Sequence, residues 1–379
     1  MAKKISKKVR VDFRKNRQNS ARQNDFTRQI HADESVIEDI DREQRVSGKG
    51  ALTRRRTILG EQGEGDHVVL AVDEAACLRG RVISAIGSTQ CTVQVDEGQE
   101  GSGTRFECTV RRVVRTVARN ARNAVVTGDR VLFLPGKNEC GVIERVEPRQ
   151  GIIARGHQYK QHILVANVSQ VAIISSADEP PLKPALIDRF VVSAAKGEVR
   201  AIIVINKCDL VDVADLQPMI GHYAQLGYTV VAASVPTGLG IAWLRRLLKH
   251  QQTVFTGQSG VGKSSLLNAI QPGLSMKTGD ISRVTQKGRH TTRFAQLQEL
   301  SFGGWVVDTP GIRQLELWDV HPAEMEGYFI EFRPFVPGCK FPDCLHLVEE
   351  GCAVREAVKQ DLISQIRYES YIRLVIGDD

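Results

Sequence analysis

Positions 257–264, Gly257-Gln258-Ser259-Gly260-Val261-Gly262-Lys263-Ser264, fit G-x-x-x-x-G-K-[ST], a spacing suited to holding the phosphates of a nucleotide. Glycines let backbone N–H groups converge on phosphate oxygens, Lys263 reaches the β- and γ-phosphates, and the Ser264 hydroxyl ligates Mg²⁺. The motif needs a strand before it and a helix after it, so that the helix N-terminus adds its partial positive charge. Both are in place: Thr253-Val254-Phe255-Thr256 is a strand-like run, and Ser265-Leu266-Leu267-Asn268-Ala269-Ile270 has helical character.

A second set of residues carries base recognition. Asn206-Lys207-Cys208-Asp209 has the form N-K-x-D at the end of an apolar run. The Asp209 carboxylate accepts from guanine N1–H and the exocyclic amine, whereas adenine offers an acceptor at N1, so Asp209 selects guanine. Lys207 lays its aliphatic stem on the purine plane, and Asn206 ties the base loop to the phosphate loop. Ser234-Val235-Pro236-Thr237-Gly238-Leu239-Gly240 resembles the S-A-x-T-G-x-G base loop with Val235 in place of Ala, which leaves its backbone amide able to contact the guanine oxygen. Asp308-Thr309-Pro310-Gly311 fits D-x-x-G, with Asp308 holding Mg²⁺ through water and the Gly311 amide sensing the γ-phosphate. In the common order the phosphate loop comes first and N-K-x-D last. Here the two base motifs precede the phosphate loop, and D-x-x-G comes at the end, which is a circular permutation.

The third set lies beyond it. Cys339-x₄-Cys344-x-His346-x₅-Cys352 places three thiolates and one imidazole within fourteen residues, the donor set of a closed structural Zn²⁺ site.

The elements that must position these residues follow from patterning. Short β-rich runs at 67–72, 81–85, 91–95, 104–114, 130–134 and 141–146, separated by turn residues, predict a small OB-type barrel over residues 61–150. Arg111, Arg112, Arg115, Arg119 and Arg122 run through its fourth strand and the next loop, either as a nucleic-acid face or as a charged strand edge. Pro148 and Gly151 mark a boundary. Beyond it strands (163–175, 199–205, 228–232, 253–256, 294–300, 304–307) alternate with helices (185–195, 216–226, 241–250), the rhythm of a parallel α/β sheet over residues 151–320 with its ligand at the carboxyl ends of the strands. Residues 321–379 complete a mainly helical zinc-binding domain.

Composition supports this reading. The 379-residue chain is 42% hydrophobic, enough for several cores. No apolar run reaches the ~20 residues of a membrane span, and the N-terminus lacks the apolar core of a signal peptide, so no membrane partner and a cytoplasmic location are expected. Eight cysteines in a chain this long indicate reduced thiols and one metal site. Residues 1–60 hold sixteen Lys/Arg against eight Asp/Glu, a net +8; with +7 for the whole chain, the remainder carries −1. Such an arm, mostly without fixed structure until a partner binds, is either a binder of a polyanion such as RNA or a solubilising tail.

The permuted motif order, the barrel, Gly288-Arg289-His290-Thr291-Thr292, the Cys/His set and Arg367-Tyr368-Glu369-Ser370-Tyr371 together resemble the circularly permuted, ribosome-small-subunit-dependent GTPases (RsgA, also called YjeQ). The resemblance spans roughly residues 60–375; the basic arm is longer than the family pattern. It implies a monomeric enzyme that hydrolyses GTP to GDP and phosphate, binds the maturing small ribosomal subunit and its rRNA, is stimulated by it and is released on hydrolysis. The water-positioning Gln of common GTPases is replaced by apolar Ile312, so another group must orient the water. The G-x-H-T-T motif of the family implies His290, which otherwise serves as an RNA-contacting loop residue. Thr292, or failing that Thr291, joins Ser264 on Mg²⁺. Two rival readings remain: an RNA-binding scaffold using GTP structurally, and a metal-handling GTPase.

Removing residues 1–60 is expected to leave nucleotide binding intact while weakening RNA binding and flattening its dependence on salt, as measured by titrating RNA at several salt concentrations.

Overall fold

The structure is a computed structural model, and it describes residues 7–12, 55–62, 68–70, 72–87, 89–111, 114, 124–155, 162–274, 295–308 and 320–377. Lys7–Asp12 (β1), Arg55–Gln62 (β2) and Val68–Leu70 (β3) form a three-stranded antiparallel sheet. Residues 7–12 and 55–60 of the arm, expected to be mostly without fixed structure, are thus strand. Val9 and Val11 alternate with Lys8, Arg10 and Asp12 at strand period, and the local pattern is enough to pair.

The barrel consists of Leu78–Ile86 (β4), Gln90–Val95 (β5), Arg105–Val110 (β6), Arg130–Pro135 (β7) and Cys140–Val146 (β8). Their order is β4-β5-β6-β8-β7, and β7 pairs back onto β4 to close the cylinder. Only the β6–β8 pair is parallel, which is the OB arrangement. Alternate residues of each strand, among them Val82, Val93, Cys108, Phe133 and Ile143, fill its interior. The run expected over 104–114 stops at Val110; Arg111 is exposed and ion-paired with Glu144, and Arg112, Arg115, Arg119 and Arg122 lie outside the described residues.

After Ile152–Arg155 (β9), the apolar run at 163–175 proves to be two strands, His162–Ala166 (β10) and Gln170–Ser176 (β11). Asn167 breaks it: the residue takes a left-handed conformation (φ 56°), and its side chain accepts from the Gln150 N–H and donates to the Gly128 carbonyl, both at 3.0 Å. Then follow Pro184–Lys196 (α1), Arg200–Asn206 (β12), Val213–Gln225 (α2), Thr229–Ala232 (β13), Ile241–Leu248 (α3), Gln252–Thr256 (β14), Lys263–Ile270 (α4), Gln296–Glu299 (β15) and Trp305–Asp308 (β16). The strands lie in the order β13-β12-β11-β14-β16-β15. All neighbours are parallel except β15, which runs antiparallel to β16 because only residues 300–304 join them, too few for a crossover.

Strand alternation divides the sheet's side chains between two cores. Ile173, Ile203 and Ile205 pack beneath α1 and α2, while Ala172, Ile174, Ile202 and Val204 pack beneath α3 and α4. Each fully buried Ile or Val is worth about 1.5–3 kcal/mol, so a one-residue slip of either central strand would exchange both faces at large cost.

Strand β4 belongs to both units. Val82 points into the barrel, whereas Ile83 joins the sheet core, and Ser84 pairs with Gln296 of β15. Polar contacts fasten the same joint: Thr127 Oγ1 donates to the Ala295 carbonyl (2.8 Å), and Arg81 Nη1 to Gln252 Oε1 (3.2 Å).

The C-terminal unit contains Pro322–Met325 (α5), Ala353–Lys359 (α6) and Gln365–Ile376 (α7), with a core of Phe329, Phe332, Val354, Tyr368 and Tyr371. It is docked on α1 through Arg367. This side chain is fully buried, and it meets Asp188 (also fully buried) and Glu331, each at 2.6 Å, while its guanidinium lies 4.3 Å from the centre of the Phe329 ring. Tyr223 of α2 donates a further hydrogen bond to Asp188 (2.8 Å). A buried cation with two carboxylate partners is costly to remove, because the carboxylates then stay in place without it. Replacing Arg367 with Met is expected to cost about 3–5 kcal/mol of unfolding free energy in urea titrations, and Arg367→Lys to recover only part, since an ammonium lacks the planar fork.

Candidate functional site

The phosphate loop leaves β14, every residue of which is buried, and enters α4 at Gly262. Two of its glycines are obligatory. A Cβ on Gly257 (φ 140°) would fall 2.1 Å from the Ile174 carbonyl oxygen of β11, and one on Gly262 (φ 88°) would fall 2.5 Å from Asn206 Nδ2. Close approach at the second position has a purpose: Asn206 Nδ2 donates to the Val261 carbonyl at 2.9 Å, tying the end of β12 to the loop. Val261 is buried, whereas Ser259 and Gly260 are exposed at the loop crest and Gln258, Ser264 and Ser265 are half-buried or exposed. Lys263 Nζ donates to the carbonyls of Gly257 (2.8 Å) and Gln258 (2.7 Å), which holds the ammonium across the loop at the start of α4. Glycine amides, an ammonium and a helix N-terminus thus lie together, an arrangement that can hold an anion.

The residues expected to read a base stand at the same sheet end. Lys207 adopts a left-handed conformation (φ 59°), which turns the chain into a short helical turn, Cys208–Leu210. Its Nζ donates to the Glu179 carbonyl, and the Cys208 amide bonds to the Ala233 carbonyl at 3.1 Å, stitching this turn to the end of β13. Ser234 Oγ donates to Asp209 Oδ1 (2.6 Å) and accepts from the Thr237 amide (3.3 Å). The Asp209 carboxylate is therefore oriented while its residue remains exposed, and half-buried Val235 follows Ser234 on the loop between β13 and α3. Asp308 closes β16, whose Val307 is paired with Val254 of β14, so its backbone sits beside the entry to the phosphate loop. His290, Thr291, Thr292, Gly311 and Ile312 lie outside the described residues.

The candidate metal ligands converge as their spacing requires. The donor atoms of Cys339, Cys344, His346 and Cys352 all lie within 4.8 Å of one another, and three of the four residues are buried. His346 turns Nδ1 toward Cys352 Sγ (3.3 Å) and Cys339 Sγ (3.6 Å). Burial, with the neighbouring Cys352 and Cys339 sulfurs, pushes the Cys344 thiol up to about 12, so three thiolates share this space only with a cation among them. The cluster can hold a metal ion, and three thiolates with an imidazole suit a soft, tetrahedral one.

Two contributors, Glu326 and Glu349, carry no signal in the linear sequence. Glu326 Oε2 meets His346 Nε2 at 2.6 Å, which favours the tautomer that would offer Nδ1 to a metal ion. Glu349 accepts from the amides of Leu345, Leu347 and Val348 and shapes the ligand loop. Tyr368 and Tyr371 donate to the carbonyls of His346 (2.7 Å) and Leu345 (2.9 Å), which gives the run 367–371 a structural reason.

A parallel sheet that carries its base-reading loops ahead of its phosphate loop, with an OB barrel before it, defines a circularly permuted P-loop GTPase fold. Residues 146–318 match the family model described as RsgA GTPase. The chain is 41% identical over 277 residues to the small ribosomal subunit biogenesis GTPase RsgA of Gemmatimonas aurantiaca, covering 72% of this chain and 90% of that protein. It is 40% identical over 299 residues to the protein of the same name from Thermotoga petrophila, covering 78% and 95%. Among solved structures, YjeQ from Thermotoga maritima superposes with a TM-score of 0.65 at 37% identity, over 80% of this chain and all of that one. The circularly permuted GTPase YloQ follows with a TM-score of 0.62 at 29% identity, over 81% and 97%. The chain belongs to the RsgA family of GTPases.

Glu326→Gln is expected to weaken metal binding about 10–100-fold, because His346 loses the carboxylate that orients it; competition against a chromophoric chelator measures this directly.

Proposed function

We propose that this protein binds GTP and hydrolyses it to GDP and phosphate while serving maturation of the small ribosomal subunit, the role carried in the names of its RsgA relatives. The observation that supports this most is the bond from Asn206 to Val261, with the Asp209 carboxylate oriented by Ser234: a guanine-selecting carboxylate and a phosphate cradle held in one frame. Gly257, Gln258, Ser259, Gly260, Val261 and Gly262 surround the phosphates with amides, Lys263 neutralises them, and Ser265 extends the N-terminal turn of α4. Lys207 lies along the purine, Asp209 selects guanine, and Ser234 and Val235 form the loop over its edge. Ser264 and Thr292 would hold Mg²⁺, with Asp308 behind a water and Gly311 at the γ-phosphate; when bound, the ion neutralises charge that develops between the β- and γ-phosphates. His290 orients the attacking water, a task Ile312 lacks the polarity to perform. Cys339, Cys344, His346 and Cys352 hold one structural Zn²⁺, since four protein donors leave no open position for transfer or catalysis, and this disfavours a metal-handling role.

The partner is the small subunit with its rRNA, approached through the basic N-terminal segment, and the protein acts as a cytoplasmic monomer. Among the described residues no helix is long and apolar enough to cross a membrane.

Asp209→Asn reverses half of the hydrogen-bond pattern offered to the base. Its preference is expected to move from GTP toward xanthosine triphosphate, as measured by competition against a fluorescent guanine nucleotide. ATP bound by the unmodified protein as tightly as GTP would overturn the assignment.

A further inference from the structure

Building on the guanine-nucleotide reading, we propose that α1 couples the nucleotide site to the metal unit by a route separate from the chain segment that joins β16 to α5. The path begins where the base and phosphate loops meet. The Ala177 amide donates to the Asn206 carbonyl at 2.8 Å, and the Glu179 carbonyl receives Lys207 Nζ. A Cβ on exposed Gly260 would stand 3.7 Å from Pro180 Cδ, so the same short segment also flanks the crest of the phosphate loop. Any shift of Lys207 toward a purine, or of the loop crest toward phosphate, acts on residues 178–183.

That segment is poorly suited to absorb a shift. Pro180 and Pro181 stiffen it, and Pro184 is in the first turn of α1 with its φ already set for the helix. One turn further on, α1 enters the other unit. Asp188 holds Arg367 of α7, Val192 is part of the C-terminal core, and Lys196 pairs with Glu324 at 2.7 Å. From Arg367 the contacts continue within α7: Tyr368 and Tyr371 donate to the carbonyls of His346 and Leu345 in the ligand loop. Every link from Lys207 to His346 is thus a hydrogen bond, an ion pair, the backbone of a helix or the proline-stiffened segment between them. A coupling free energy carried this way is reciprocal, so whatever engages the metal unit also alters nucleotide affinity.

Hydrogen exchange of the full, metal-loaded chain tests this, with saturating GDP or a non-hydrolysable GTP analogue and Mg²⁺. Two variants break the path at different places and leave the base and phosphate loops unchanged: P180G/P181G, which loosens the segment, and D188N, which weakens the pair with Arg367. In the unmodified protein, nucleotide should slow exchange in residues 257–265 and in α7, the latter about fivefold or more. In each variant the slowing at 257–265 should persist, while that in α7 falls to within about twofold of the nucleotide-free rate. Exchange in α7 that does not respond in the unmodified protein, or that slows as much in both variants as in the unmodified protein, would overturn the coupling. Absence of slowing at 257–265 in the unmodified protein would instead overturn the nucleotide reading on which it rests.

Discussion

Strand β11 is the constraint on which the site depends. It lies between β12 and β14, bonded in parallel to both, with all seven residues buried. Its two registers set Ile173 beside Ile203 on one side and beside Thr256 on the other, so the ends of β12 and β14 arrive at the same sheet edge. Asn206 and the loop that follows β14 meet for that reason, Asn206 beside Val261 and Gly262, although the chain from Asn206 to that loop runs through two more helices and two strands. A single hydrogen bond, from Asn206 to Val261, then suffices to lock the base-reading turn to the phosphate loop. Permutation has left this geometry intact because strand order and register, rather than chain order, decide which strand ends meet.

What the sequence discloses and what it hides divide along range. The phosphate loop, N-K-x-D and the Cys/His set are each contained in a few residues, and each type at its spacing has a chemical reason, so their convergence was legible. The OB barrel was legible too, from period-two alternation between turns. Less visible were features decided by a neighbour elsewhere in the chain. Nothing in the run at 163–175 announces that Asn167 will break it, because its partners are Gln150 and Gly128. The parallel rhythm gave no sign of antiparallel β15, which follows from the shortness of one turn. Glu326, one of many surface-type carboxylates in composition, acquires a role only through His346. Arg367 and Asp188 are 179 positions apart, a pairing no local pattern reveals.

The charged contacts differ in what they contribute. The Arg367 pair with Asp188 lies wholly out of water, and its removal from one side strands the other. Lys359 and Glu356, by contrast, form a pair in which both side chains are more than half exposed, and such a contact is worth little. Among the described residues, the buried and part-buried polar contacts that join the units include Arg367 with Asp188 at one interface, and Arg81 and Thr127 at the other.

The joint between barrel and sheet also bears on the order in which the molecule assembles. β4 is made early, whereas its partner β15 comes more than two hundred residues later and the flanking β16 after that. During synthesis the barrel can close on its own strands, while β11, β12 and β13 emerge with one side of β11 unpaired until β14 is complete. A nascent parallel sheet with an open central edge is slow to finish and prone to wrong pairing, because the closing contacts are remote in sequence. The same rearrangement of chain order that leaves the binding site unchanged therefore moves the hazard of folding to the middle of translation.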